Sequence, residues 1–358
     1  MASKKEIVKV KIGKTDKRSY SGNGKLNSRN GHDVIVVGAS AGGIEAFGKL
    51  LKDLPADLPA AILMVIHTSP QSPYVLPKIL NRAGTLKVLE RLNDGHPLRP
   101  GHVYVAPPDV HLLTERGQVR LISGPKENRH RPAIDPLFRS AAYEYGERVI
   151  GVLLTGNLDD GTSGLMAIKE RGGIVVVQDP KDALYPDMPR NFLEQQKADY
   201  CLPLSEIGPL LAKLVKERGK KGKAKPVSKR LEIENGIAKL KPTNLDQMEV
   251  LGKPSSLTCP ECDGGLWEIK EGKKLRFRCR EGHAYSGESL IEGQSESVET
   301  ALWAAVRALE ERVTILQRLA SQARERKHSH TEAIFEQKRR ELEPAAKTIR
   351  AMLGKIPR

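Results

Sequence analysis

The chain has 358 residues, 39% of them hydrophobic and 29% charged. That is enough for two or three packed domains at about 100–200 residues each, and too apolar for wholesale disorder. The formal charge of +15 is concentrated: residues 1–30 hold nine lysines and arginines against two acidic residues, and residues 216–230 hold eight against one. The remainder is close to neutral, which argues against a basic nucleic-acid-binding face and for two solvated stretches.

Residues 1–31 read as a disordered basic tail. The lysine-studded start lacks the continuous apolar segment of a secretory signal, and no apolar run approaches the roughly 18 residues of a membrane-spanning helix. A cytoplasmic location without membrane insertion is expected, and there four cysteines point to thiols or a metal rather than to disulfides.

From residue 32 to 215 the pattern alternates. Asp33–Gly38, Ala61–Ile66, Val103–Ala106, Val119–Ile122, Val149–Leu154 and Ile174–Val177 are short apolar, β-branched runs. Runs apolar on both faces suit a buried parallel sheet. Helical patterns lie between them at 43–53, 74–83, 135–146 and 162–171. The alternation predicts an α/β domain with a doubly wound, mostly parallel, Rossmann-like sheet. The 101–122 region, with short strands around Pro107-Pro108 and Arg116-Gly117, reads as an antiparallel hairpin appended to that sheet. Residues 216–254 read as a basic linker and 255–292 as a small cysteine-bearing module. For 293–358 the spacing of Val298, Leu302, Ala305, Leu309, Val313, Leu316 and Ala320 predicts a helical hairpin, its second arm broken or kinked at Pro344.

Three strand ends carry chemistry. The first strand empties into Gly38-Ala39-Ser40-Ala41-Gly42-Gly43 ahead of a helix. Such a turn presents a serine hydroxyl at the carboxyl edge of a sheet, beside helix N–H groups that can stabilise an oxyanion. An N-capping serine is the plainer use of the same pattern. His67 directly follows the second strand, where it can act as a base toward Ser40 or serve as a structural histidine. The fifth run leads into Thr155-Gly-Asn-Leu-Asp-Asp-Gly161. A carboxylate in this turn can orient an imidazole, or simply cap the next helix. The order serine, histidine, acid differs from the α/β-hydrolase order of serine, acid, histidine, so an ordinary lipase or esterase fits poorly.

Together with Arg131-Pro-Ala-Ile-Asp-Pro-Leu-Phe-Arg-Ser-Ala-Ala142 and Gln178-Asp-Pro with Met188-Pro189, these motifs resemble the catalytic domain of the chemotaxis protein-glutamate methylesterase (CheB) family. The resemblance covers roughly 33–215. It implies a Ser-His-Asp hydrolase acting on γ-glutamyl methyl esters of methyl-accepting chemoreceptors, with deamidation of receptor glutamines as a second reaction and a paired methyltransferase as a further partner. It assigns Ser40 as nucleophile, His67 as base and Asp160 as acid, with no catalytic cofactor. The family's more usual turn has Met-Gly where this chain has Asn157-Leu158, and often Thr in place of Ala41. The best-known members carry an N-terminal receiver domain. Only about 32 residues precede the first strand here, so control by aspartyl phosphate within this chain is not expected. A non-catalytic adaptor, or a hydrolase of another protein substrate, is the alternative.

Cys259-Pro-Glu-Cys262 and Cys279-Arg-Glu-Gly-His283 form two knuckles flanking a hairpin of Leu266–Ile269 and Leu275–Arg278 around Gly272. Three thiolates and one imidazole make a closed tetrahedral set, the signature of structural zinc in a zinc ribbon. Cys201 stands apart and reads as a core thiol. The linker is expected to leave ribbon and helices as an independent docking or assembly module.

Overall fold

A computed structural model describes residues 32–217 and 225–355. The tail reading of residues 1–31 and the middle of the expected linker, 218–224, lie outside the described residues. In chain order the N-terminal domain consists of β1 (Val34–Ala39), α1 (Gly43–Lys52), β2 (Ala61–Ile66), α2 (Leu76–Ala83), β3 (Lys87–Val88), β4 (His102–Val105), β5 (His111–Glu115), β6 (Gln118–Ile122), α3 (Ile134–Tyr145), β7 (Val149–Leu153), α4 (Thr162–Glu170), β8 (Ile174–Gln178), α5 (Asp187–Gln195), β9 (Tyr200–Leu202) and α6 (Leu204–Leu214).

Seven of these strands form one parallel sheet in the order β3-β4-β2-β1-β7-β8-β9. Every residue of β1 is buried. Ile35 and Val37 pack with Phe47 and Leu50 of α1 and Ile207 of α6, whereas Val34 and Val36 pack with Leu137 and Phe138 of α3. Helices on both faces explain why the strands are apolar throughout instead of alternating. The chain leaves β1 toward β2 on one side and returns to β7 on the other. The loops after β1 and β7 therefore diverge, opening the crevice in which doubly wound folds bind ligands.

The hairpin departs from expectation. Val103–Val105 belongs to β4, parallel to β2 within the main sheet, and the appended hairpin is β5–β6 alone. It turns at Arg116 and Gly117, both with positive φ (48° and 79°), as a tight two-residue hairpin turn requires. Cys201 sits exposed on edge strand β9 and not in the core.

The second half corrects the linker reading. Residues 229–254 fold into α7 (Lys229–Ala238), N-capped by Ser228, and α8 (Leu245–Leu251), closed by a reciprocal Asn244–Gln247 capping box. Charge along this stretch masks four apolar anchors. Leu231 joins the core of the N-terminal domain, and Ile237, Met248 and Leu251 pack on Ile269 of the ribbon. Then follow β10 (Lys253–Thr258), β11 (Gly265–Glu271), β12 (Lys274–Cys279) and β13 (Ala284–Ser286), an antiparallel four-stranded sheet. The terminal hairpin is α9 (Gly287–Glu325) and α10 (Ser329–Leu353). It starts earlier than expected because Ser286 and Ser289 close a capping box. Pro344 lies inside α10 without ending it.

This C-terminal module is not independent. A buried ion-pair cluster joins the halves: Arg278 reaches Glu127 at 3.0 Å, Arg276 reaches Glu234 at 3.0 Å, and Arg139 lies against both glutamates. Burial pushes the Glu127 carboxyl up, but Arg139, Arg278 and Arg276 outweigh it and hold it below the usual range.

Candidate active site and metal cluster

Ser40 occupies the turn between β1 and α1. Gly42 adopts a left-handed φ of 74° there, which glycine reaches without a Cβ penalty. The Ser40 N–H donates to Thr155 O at 2.9 Å, tying this turn to the loop after β7. At Gly156 a Cβ would lie 2.8 Å from Ser40 Cβ and 2.1 Å from Met188 Sδ, so only glycine fits.

The three residues singled out by sequence converge. His67 Nδ1 lies 3.0 Å from Ser40 Oγ, and His67 Nε2 lies 2.7 Å from Asp160 Oδ2. With the proton on Nε2, donated to Asp160, Nδ1 is free to accept the serine hydroxyl. The His67 and Asp160 side chains are 7% and 2% exposed, which strengthens their interaction.

Asp160 is held from all sides. Oδ2 also accepts the Ile134 N–H at 2.7 Å, and Oδ1 accepts Asn128 Nδ2, the Asp135 N–H and the Gly161 N–H. Ile134 and Asp135 open α3, so the positive end of that helix faces the carboxylate. Burial raises the Asp160 pKa, but the hydrogen bond and charge of His67, with these donors, drive it well below the usual carboxylate range. Asp135 shows the converse: burial and the Asp160 charge push its carboxyl well above its ordinary value.

Sequence reasoning missed Asn128 and His130. The His130 ring stacks on His67 with centroids 3.6 Å apart. Burial first, then the His67 imidazole, pushes His130 down to about 3. The only local signal was a polar triplet, Asn128-Arg129-His130, directly before the Arg131-Pro132 motif.

In the turn before the acid, Leu158 has φ 61°, and its carbonyl accepts from Asn191 Nδ2 at 2.7 Å. The N–H groups of Ala41 and Asn157 donate to no acceptor among the described residues.

In the ribbon, one ligand atom from each of Cys259, Cys262, Cys279 and His283 lies within 4.8 Å of every other. Cys262 Sγ and Cys279 Sγ are 3.7 Å apart, close to the roughly 3.8 Å edge of a tetrahedron with 2.3 Å zinc–sulfur bonds. All three thiols are free of disulfides. The donor set fits a metal ion, and a soft, closed set of this kind suits structural zinc.

A serine, a histidine and an aspartate in a hydrogen-bonded row, at the switch point of a parallel α/β sheet, form the constellation of a serine hydrolase. Comparison with known proteins narrows the class. The family model described as CheB methylesterase matches residues 35–211. A putative protein-glutamate methylesterase/protein-glutamine glutaminase of Leptospira interrogans is 40% identical over 184 residues, covering 51% of this chain and 95% of that protein. The corresponding enzyme of Hydrogenovibrio crunogenus is 38% identical over 194 residues, 53% of this chain but 51% of that protein. The crystal structure of the Thermotoga maritima CheB methylesterase catalytic domain is similar at 35% identity and a TM-score of 0.49, covering 51% of this chain and 98% of that one. The chain belongs to the CheB methylesterase family.

Proposed function

We propose that the protein hydrolyses γ-glutamyl methyl esters on methyl-accepting chemoreceptors or similar methylated signalling proteins, with Ser40, His67 and Asp160 as its triad. The observation that carries this reading is the unbroken row of 3.0 Å and 2.7 Å contacts from Ser40 through His67 to Asp160. Ser40 Oγ attacks the ester carbonyl while His67 Nδ1 takes its proton. The Ala41 and Asn157 N–H groups are the candidate donors to the resulting oxyanion. Asp160 accepts from Nε2–H throughout and supports the imidazolium charge. His67 then protonates the departing methoxide, giving methanol and an acyl-serine. Water attacks that acyl group, losing a proton to His67, which hands it to Ser40 Oγ as the acyl bond breaks and the glutamate carboxylate leaves. With a glutamine side chain the same steps release ammonia, the second activity in the names of the relatives.

The reading extends to a cytoplasmic enzyme working in chemotaxis-type signalling beside a methyltransferase that makes its substrate. Cys259, Cys262, Cys279 and His283 would hold one structural zinc, with no ligand position left open for chemistry. No described helix is long and apolar enough to cross a membrane. The test is methanol release from methylated receptor membranes. The native chain should release it and Ser40→Ala should not; equal release by both would overturn the proposal.

A further inference from the structure

We propose that Asn128 is a positioning residue for Asp160, and that the C-terminal module, by holding Asn128, is a working part of the hydrolase site. The inference rests on the triad reading above.

Asn128 is 6% exposed and stands between the two halves. Its Nδ2 donates to Asp160 Oδ1 at 3.1 Å and to Asp135 Oδ2 at 3.3 Å. Its Oδ1 accepts the Ser286 N–H at 3.1 Å and the Ser289 hydroxyl at 3.2 Å, both from the cap of α9. Its own N–H donates to Ala284 O of β13 at 2.7 Å. One side chain thus separates the catalytic carboxylate from the module.

The neighbouring residues are gripped in the same way. Glu127 pairs with Arg278 of β12, Arg129 pairs with Glu292 and Glu296 of α9, and His130 stacks on His67. Asn128 and Arg129 both have left-handed φ, 48° and 68°, a backbone state disfavoured for side-chain-bearing residues and kept only where the surroundings impose it. The module also reaches the other side of the acid. Lys274 Nζ donates to Asn191 Oδ1 at 2.8 Å, and Asn191 carries the Leu158 carbonyl; Lys274 also lies 3.4 Å from Asp159.

The orientation of the amide is the point on which the inference turns. Of the donors to Asp160, His67, Ile134, Asp135 and Gly161 are fixed by the N-terminal domain itself. The Asn128 amide points Nδ2 at Asp160 and Asp135, and the module holds it there by placing two donors on Oδ1. Without them the amide is gripped from one side only, loosening the carboxylate that aims His67. Serine attack depends on that aim, and a misplacement on the order of 1 Å costs about 100-fold in rate.

The test uses the full-length protein, a γ-glutamyl methyl ester peptide and a fluorophosphonate that labels Ser40. Asn128→Gly retains the left-handed backbone but removes the amide. Asn128→Asp retains the shape but sets a carboxylate against Asp160. Each should lower kcat by about 100-fold with KM within about twofold, and slow labelling per folded molecule by a similar factor. Ser289→Ala, which removes one of the two module donors, should lower kcat by about fivefold with KM unchanged. Wild-type kcat in Asn128→Gly would overturn the proposal, since the residue would then serve only the backbone. So would a loss that disappears once rates are expressed per folded molecule. Failure of the underlying triad reading looks different: Ser40→Ala would retain turnover.

Discussion

The Arg278 guanidinium of the ribbon lies 3.0 Å from the Glu127 carboxylate of the N-terminal domain, with side chains 0% and 3% exposed. Glu127 also receives Arg139, and Arg278 donates to Gly282 O. Charges sealed this deeply are tolerated only while every partner remains. Glu127→Gln should therefore lower stability by about 3–5 kcal/mol, the usual cost of breaking a buried pair from one side. Urea unfolding checks it, and a loss below about 1 kcal/mol would mean that solvent reaches the cluster.

The triad makes a graded prediction. Ser40→Ala and His67→Ala should each lower kcat/KM by roughly three orders of magnitude or more, and Asp160→Asn somewhat less. Steady-state kinetics on a methyl ester would settle it. Near-native turnover in His67→Ala would remove the imidazole from the mechanism.

Metal analysis of gently purified protein should find one zinc per chain. Chelation should unfold the ribbon. Because β12 carries both Arg276 and Cys279, the damage should extend to the shared interface and reduce esterase activity. Absence of zinc, or full activity in the chelated protein, would contradict this.

Acid should weaken the fold before it titrates the carboxylates. His130 sits at about 3 in the folded chain against 6.5 ordinarily, burial being the main cause. The folded state therefore binds fewer protons than the unfolded one between those values. The stability this contributes is complete above 6.5 and is lost as pH falls toward about 3. Urea midpoints at pH 7 and pH 5 should differ more for the native chain than for His130→Gln. Equal differences would place the sensitivity elsewhere, with buried His111 the next candidate.

Leu158 occupies a left-handed backbone position, φ 61°, where the family's more usual turn has glycine. Leu158→Gly should relieve about 1–2 kcal/mol of local strain, offset in part by the greater freedom of glycine in the unfolded chain. Differential scanning should find a raised or unchanged midpoint. A clear loss would show that packing of the leucine side chain outweighs the backbone strain.

The sequence made the sheet legible because strands such as Val34–Ala39 are apolar on both faces, and strand-end chemistry follows from that topology. It hid α7 because Leu231 and Ile237 lie among charges with little helical amphipathicity. Glu234, which looks like a solvent residue, is buried against three arginines. The cysteine spacing predicted a cluster that the structure gathers within 4.8 Å. It carried nothing about where that cluster docks, because ion pairs such as Arg278 with Glu127 span 151 residues of sequence. Asn128 was equally silent, its importance arising only from contacts assembled in the fold.

The length of α9 separates handling from chemistry. Its 39 residues extend for about 58 Å at the usual rise per residue. The first turn grips Asn128, while the rest packs chiefly along α10. The turn between the helices, at exposed Lys327, is therefore the distant end of a built-in handle. A fluorophore or surface linkage attached there leaves the Ser40 crevice open to large substrates. The same attachment at buried Ser289 would break the hydrogen bond to Asn128, in the loop that carries His130.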